Sequence, residues 1–344
     1  MQILTWSPDV LGTGYESTVL NVGVKDSLNR VATLVRHLPA DQVSKPGQAV
    51  LFLHGWSDYF FNKDLAEFFT EQGVAFYALD FHNHGRSLRT GDLGGFVANL
   101  DDYDAALAKA IEVVGKNVDS IYGTPAGPIA KTKIALMGHS TGGLVAALWT
   151  SRFPETVSHL ILNSPWLEMH GSSFVRHATY SMVEPLARWW PQSRIKLPER
   201  NFYWRSISAS AEGEWELDDS LRPPLAFPII FGWMSAILAG QAQVAKGLKI
   251  SVPILVLMSA RSLNGPRWRE GMRSADAVLD IQTMAARAMT LGESVTIERI
   301  DGGLHDVLLS EKPVRDEAYA RLRRWLHGYM FYQEPVKPAA GDPS

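Results

Sequence analysis

Gly138-His139-Ser140-Thr141-Gly142 is a G-x-S-x-G pattern, with Gly143 adding one more small residue. The apolar run Ile134-Ala135-Leu136-Met137 precedes it, and Leu144 to Trp149 after it read as a helix. A serine on a sharp strand-to-helix turn, flanked by glycines that let strand and helix approach, presents its hydroxyl as a nucleophile. The competing reading is a phosphate-binding turn, but no lysine stands where one would be needed and the glycine spacing differs. A serine hydroxyl is weak alone, so a histidine must take its proton and a carboxylate must orient that histidine.

With this elbow the chain order is serine, acid, histidine. Of ten histidines, His305 and His327 fall late in the chain. His327 sits inside an amphipathic helix and reads as a surface or packing residue. His305 follows the strand pattern Val295 to Ile300 and the loop Asp301-Gly302-Gly303-Leu304, the strand-end position a base needs. For the acid, Glu270, Asp276 and Asp280 follow the strand Pro253 to Met258. Glu270 lies among Arg267, Arg269 and Arg273, and Asp280 falls within a predicted helix. Asp276, just before that helix, is preferred, although an Asp there also suits an N-cap. Asp301 reads as bracing its own loop, and Asp306 as pointing away from His305. Acyl transfer further needs N–H donors for the oxyanion. Thr141, directly after the serine, offers one; Trp56, behind His54-Gly55, offers the other. His54 reads as orienting that loop.

These residues need a frame, and the hydrophobic patterning supplies one. Ser17 to Val24 and Arg30 to His37 show β-type alternation. Ala49 to Leu53, Val74 to Phe81, Lys133 to Met137, Val157 to Leu162, Pro253 to Met258 and Val295 to Ile300 are further strands. Ala49 to Leu53 is a continuous apolar run, as in a strand buried on both faces. Helices are predicted at Asp64 to Gln72, Asp101 to Gly115, Thr141 to Arg152, Ala277 to Leu291 and Val314 to Met330. Alternation of the two implies a parallel sheet in an α/β domain. The pattern stops between Trp166 and Gly247, a stretch holding six of the eleven tryptophans. It reads as an insertion into one domain.

Composition narrows the classes. Hydrophobic residues make up 46% and charged residues 20%, and the formal net charge is −3. No basic run offers a footprint for nucleic acid. With no cysteine, disulfides, thiolate metal sites and a cysteine nucleophile are excluded. The first ten residues lack a secretory pattern, and the richest apolar stretch, Pro228 to Gly240, is too short to span a bilayer. The expectation is a cytoplasmic protein.

Taken in order, His54-Gly55-Trp56, Leu79-Asp80-Phe81-His82-Asn83-His84-Gly85-Arg86-Ser87, Gly138-His139-Ser140-Thr141-Gly142, Ser274-Ala275-Asp276-Ala277-Val278 and Gly302-Gly303-Leu304-His305-Asp306 resemble the α/β-hydrolases. The likeness is to the monoacylglycerol lipase and lysophospholipase branch, classed with the serine aminopeptidases of S33 type, and it spans about residues 15 to 330. It implies the α/β-hydrolase fold, a mostly parallel central sheet flanked by helices with an inserted cap. Residues 1–165 and 248–335 would form the core, 166–247 the cap, and 336–344 a disordered tail.

The resemblance also implies a catalytic Ser140, Asp276 and His305, with the backbone N–H groups of Trp56 and Thr141 as oxyanion hole. It implies a small acyl-ester substrate, with neither cofactor nor metal, no nucleic acid, and at most transient contact with lipid. The stretch Ser259 to Arg273 is longer than the compact acidic motif of many relatives. In the cap, Phe174, Trp189, Trp190, Phe231, Trp233 and Ile237 suit either an acyl-chain tunnel or packing onto the core. An amide or peptide hydrolase would use Glu168, Glu184 or Glu212 to hold a free amino group. A catalytically inactive, ligand-binding hydrolase fold is the remaining alternative.

Overall fold

The computed structural model describes residues 4–25, 28–39, 47–122, 132–169, 173–196, 198 and 200–332. The tail expected at 336–344 lies outside them. Nine strands form one sheet in the order β1-β2-β3-β5-β4-β6-β7-β8-β9. They are β1 (Ser7–Pro8), β2 (Tyr15–Lys25), β3 (Leu28–His37), β4 (Gln48–Leu53), β5 (Ala75–Asp80), β6 (Lys133–His139), β7 (His159–Asn163), β8 (Ile254–Ser259) and β9 (Val295–Ile300). β1, β2 and β3 pair antiparallel, as does β3 with β5. From β5 through β9 every pair is parallel. The expected mostly parallel sheet is therefore present, with an antiparallel β1–β3 edge.

The continuous apolar runs follow from cover on both faces. In β4, Ala49, Leu51 and Leu53 enter one core layer, while Val50 and Phe52 enter the other. β6 divides alike, with Ile134 and Leu136 on the first side and Ala135 and Met137 on the second. The first layer is covered by α2 (Asp104–Tyr122), α3 (Thr141–Arg152), α6 (Phe231–Val244) and α7 (Ile281–Ala288). The second is covered by α1 (Lys63–Glu71) and α8 (Lys312–Trp325). This period-two partition fixes the register, because a one-residue slip would exchange the faces.

Between β7 and β8 lie α4 (Ser173–Trp189), α5 (Phe202–Ile207) and α6. The segment is tied to the strand ends by hydrogen bonds. Phe227 N–H donates to Ser57 Oγ at 2.9 Å, Asp218 N–H to Tyr59 Oη at 3.1 Å, and Trp215 Nε1–H to the Leu309 carbonyl at 2.9 Å. Among the described residues, no helix is long and apolar enough to cross a membrane.

Of the five predicted helices α3 alone has the expected limits, and α2 and α7 show the larger changes at one end. α2 extends to Tyr122 instead of Gly115, and α7 begins at Ile281 instead of Ala277. At α7 the N-cap is Asp280, whose side chain accepts the Thr283 N–H at 2.8 Å. Asp280 is thus a cap, and Asp276 stands a full turn before the helix.

Candidate active site

Positive φ values concentrate where β4 to β7 end. Ser57 (φ 55°) follows β4, Asn83 (61°) follows β5, Ser140 (51°) follows β6 and Ser164 (44°) follows β7. Such conformations cost a non-glycine residue about 1–3 kcal/mol and persist only where the surroundings impose them. At Ser140 the surroundings are explicit. Its N–H donates to the Asn163 carbonyl at 3.0 Å, and its own carbonyl accepts the N–H groups of Gly143, Leu144 and Trp166 at 3.0, 3.2 and 3.0 Å. The flanking glycines make the turn sterically feasible. A Cβ on Gly138 would stand 2.4 Å from the Gly142 carbonyl oxygen, and one on Gly142 would stand 2.3 Å from that of His54.

The structure brings the three separated residues of the sequence reading together. His305 Nε2 lies 3.0 Å from Ser140 Oγ, and His305 Nδ1 lies 3.0 Å from Asp276 Oδ2. Asp276 is itself fixed: its Oδ1 accepts the N–H groups of Val278 and Leu279 at 2.8 and 2.7 Å. The capping-like role considered for Asp276 and the contact to His305 therefore coexist, one on each carboxylate oxygen. Asp276 and His305 are almost fully buried, and Ser140 is 9% exposed.

Trp56 and Thr141 both line the cavity that opens at Ser140. Thr141 is the first residue of α3, so its N–H has no acceptor within the helix. The loop that carries Trp56 is held by His54, as expected. His54 Nε2 accepts the Phe81 N–H at 3.1 Å, which leaves Nδ1 as the donor to the Gly55 carbonyl at 2.6 Å. Asp80 and Arg86 of the second motif buttress the same loop. Asp80 Oδ1 accepts the Phe60 N–H at 2.9 Å, and Arg86 Nη1 donates to Asp80 Oδ2 at 2.8 Å and to the Phe60 carbonyl at 3.0 Å.

The loop holding His305 has a comparable clamp. Asn163 Nδ2 donates to Asp306 Oδ1 at 2.5 Å, Leu308 N–H donates to the same oxygen at 2.9 Å, and Asn163 Oδ1 accepts the Val307 N–H at 3.3 Å. Asp306 Oδ2 stands 4.0 Å from His139 Nδ1, and the oxygen that meets His305 Nδ1 belongs to Asp276. Burial pushes the Asp306 carboxyl up to about 6. His139, the residue before Ser140, is held well below the ordinary imidazole range by burial and by the neighbouring His305, so it is neutral.

The cavity has a volume of about 360 Å³. Trp56, Trp166, Ile229, Trp233, Val278 and Leu279 give it an apolar wall, with Trp56 and Trp233 stacked at 4.5 Å between ring centres. Of the six residues weighed for a tunnel, Trp233 is in that wall. Ile237 is fully buried in the core and Phe231 packs against it. Trp189 and Trp190 are 72% and 60% exposed on the surface, so they line no tunnel. The Phe174 side chain lies outside the described residues. Sequence reasoning missed Asp58, Tyr203 and Arg222, which also line the cavity. No spacing rule links them, because Tyr203 lies on α5 and Asp58 and Arg222 on loops, and only the fold brings them together.

A model of the family described as serine aminopeptidase, S33, matches residues 44–312. The chain belongs to this hydrolase family. The expected resemblance therefore holds at the level of family and fold. Among solved structures, the chain is similar to a monoacylglycerol lipase from Paleococcus ferrophilus, at TM-score 0.57 and 16% identity over 83% of this chain and 96% of that one. It is also similar to a soluble variant of monoglyceride lipase from Saccharomyces cerevisiae solved with a substrate analogue, at TM-score 0.57 and 14% identity over 95% of each chain. At these identities the likeness is one of fold. A shorter stretch of 34 residues is 50% identical to a 1-acylglycerol-3-phosphate O-acyltransferase, ABHD5, of Sus scrofa. That match spans 10% of this chain and 10% of that curated relative's length.

Proposed function

We propose that this S33-family member is a serine hydrolase of carboxylic esters, acting through an acyl-enzyme on Ser140. The observation that carries the reading is the hydrogen-bonded series from Ser140 through His305 to Asp276, at 3.0 Å for each contact to the imidazole. In this reading His305 takes the Ser140 proton as the oxygen attacks the carbonyl carbon. The N–H groups of Trp56 and Thr141 receive the oxyanion. Asp276 holds the imidazole with Nδ1 protonated and balances the charge it gains. His305 then protonates the leaving alcohol, and water, activated by the same base, releases the acid.

The apolar wall supports a lipid-type acyl ester, such as a monoacylglycerol or lysophospholipid, as substrate class. The segment 166–247 acts as the cap that closes the acyl site. An aminopeptidase reading needs an uncommitted acid for the amino group. Glu168 is paired with Arg287 at 2.6 Å, Glu212 is paired with Arg205, and Glu184 is exposed. None of the three lines the cavity, which favours the ester reading. The test is hydrolysis of para-nitrophenyl acyl esters of increasing chain length by the wild type and by Ser140→Ala. Turnover is expected in the first alone, with the Ser140→Ala protein still folded. Full activity in Ser140→Ala would overturn the mechanism.

A further inference from the structure

One wall of the cavity is polar, and its groups are not used by the series through Ser140. Arg222 is 5% exposed, yet it lines the cavity. It follows a turn in which its own N–H donates to the Asp218 carbonyl at 2.9 Å, and Pro223 and Pro224 follow it. Its Nε stands 2.8 Å from Asp58 Oδ1. That contact commits Nε to Asp58, while Nη1 remains without a hydrogen-bond acceptor among the described residues. The guanidinium lies over the Tyr203 ring at 5.0 Å. Tyr203 in turn meets the His305 ring edge-on at 5.1 Å. Among the described residues, the buried Tyr203 hydroxyl has no hydrogen-bond partner, and neither do the ring nitrogens of His139. Burying the Arg222 and Tyr203 donors without acceptors is costly unless a ligand supplies the acceptors.

Resting on the ester-hydrolase reading above, we infer that the substrate carries a carboxylate, on its acyl or its alcohol part, that docks on Arg222 and the Tyr203 hydroxyl. Three features choose a carboxylate over a neutral polar group. First, two donors on cavity-lining residues, Arg222 Nη1 and the Tyr203 hydroxyl, lack acceptors among the described residues. Asp58 Oδ1 is already engaged by the Tyr59 N–H at 3.0 Å as well as by Arg222. Asp306 Oδ1 is engaged by Asn163 and Leu308. The other oxygens of both acids stand 4.0 Å from His139 Nδ1. Second, the charges lining the cavity are Arg200 and Arg222 against Asp58. Burial also pushes the carboxyls of Asp58 and Asp306 up, while a guanidinium stays charged. Third, the planar guanidinium presents paired donors that match a carboxylate. With a single buried cation already facing Asp58, the wall suits a monoanion and not a phosphate dianion.

The test compares matched esters on the full-length protein. The acyl-side pair is the mono-para-nitrophenyl ester of hexanedioic acid against its methyl-capped form. The alcohol-side pair is the butanoyl ester of para-hydroxyphenylacetate against that of its methyl ester. In one pair the wild type should favour the anion by about ten- to hundredfold in kcat/KM, the worth of a charge-assisted hydrogen bond. Arg222→Gln should bring that ratio close to one, and Arg222→Lys should restore part of it. If Arg222→Gln fails to fold, the double variant Arg222→Met with Asp58→Asn removes both charges together and serves in its place. Binding is read independently of turnover in Ser140→Ala, where hexanoate but not hexanamide should raise the melting temperature, and where adding Arg222→Gln should abolish the difference. Neutral esters preferred in both pairs, or an anion preference that survives Arg222→Gln, overturns the inference while leaving the ester-hydrolase reading intact. Hexanoate binding without turnover of any ester supports the carboxylate site and overturns the ester-hydrolase reading. The absence of both anion preference and hexanoate binding overturns the carboxylate site.

Discussion

The ends of β4 to β9 and the wall supplied by residues 200–233 handle polar atoms in opposite ways. At the strand ends each working group is held by a second group. Asp276 is held by two N–H groups, and the loop of His305 is clamped by Asn163 and Asp306. On the opposite wall, Arg222 Nη1 and the Tyr203 hydroxyl are buried donors without acceptors among the described residues. The first region is built to hold one geometry. The second is built to be completed by something that enters. A fixed reacting centre beside an incompletely satisfied recognition wall lets chemistry and selectivity vary separately.

The difference can be broken at its strongest point. Asp276→Asn keeps the shape but favours the wrong imidazole tautomer, and kcat for an activated ester should fall about ten-thousandfold with little change in KM. A fall of less than tenfold would mean the strand-end geometry is not the reacting centre. Trp233→Ala acts on the wall. Losing a buried indole stacked on Trp56 should cost about 3 kcal/mol in urea unfolding and shift preference toward bulkier acyl chains. Unchanged chain-length selectivity would separate this wall from the substrate. Gly142→Ala drives a Cβ against the His54 carbonyl and should cost about 2 kcal/mol through forced backbone movement. Normal stability and activity in that variant would contradict the tight elbow.

Asp306 gives a pH signature. Its carboxyl lies above the unfolded value, so the folded protein binds more protons than the unfolded chain between about pH 4 and 6. Stability from this group is therefore lost as pH rises through that window. Asp306→Asn should flatten that part of the melting profile relative to wild type, and an identical slope would refute the buried, raised carboxyl. The smallest effect is expected at the exposed tryptophans: Trp189→Ser and Trp190→Ser should each change stability by less than about 0.5 kcal/mol and leave turnover of a soluble ester unaltered.

Strand-end chemistry was legible in the sequence because periodicity and motif agree there. Ala49 to Leu53 announces a buried strand, Val295 to Ile300 announces a strand that is only half-buried, and the glycines around Ser140 announce the turn between strand and helix. Asp276 was readable only by order and location. The helix limits that would have separated it from Asp280 depended on a tertiary contact, the Ile281 N–H donating to Ser262 Oγ at 2.9 Å. α4 to α6 were not legible as elements. α6 is buried along nearly its whole length and so shows no amphipathic stripe, while α4 carries Pro185 inside it, which reads as a helix break. Arg222 was invisible for a different reason. Its partner Asp58 lies far away in sequence, and a lone arginine before two prolines carries no pattern.

The central claim is that Ser140 is the nucleophile, and reaction with a fluorophosphonate followed by intact-mass and peptide analysis tests it most directly. The account predicts one adduct per chain, located on Ser140, formed in the wild type and lost in His305→Ala. No adduct, or an adduct on another serine with Ser140 unmodified, would contradict it.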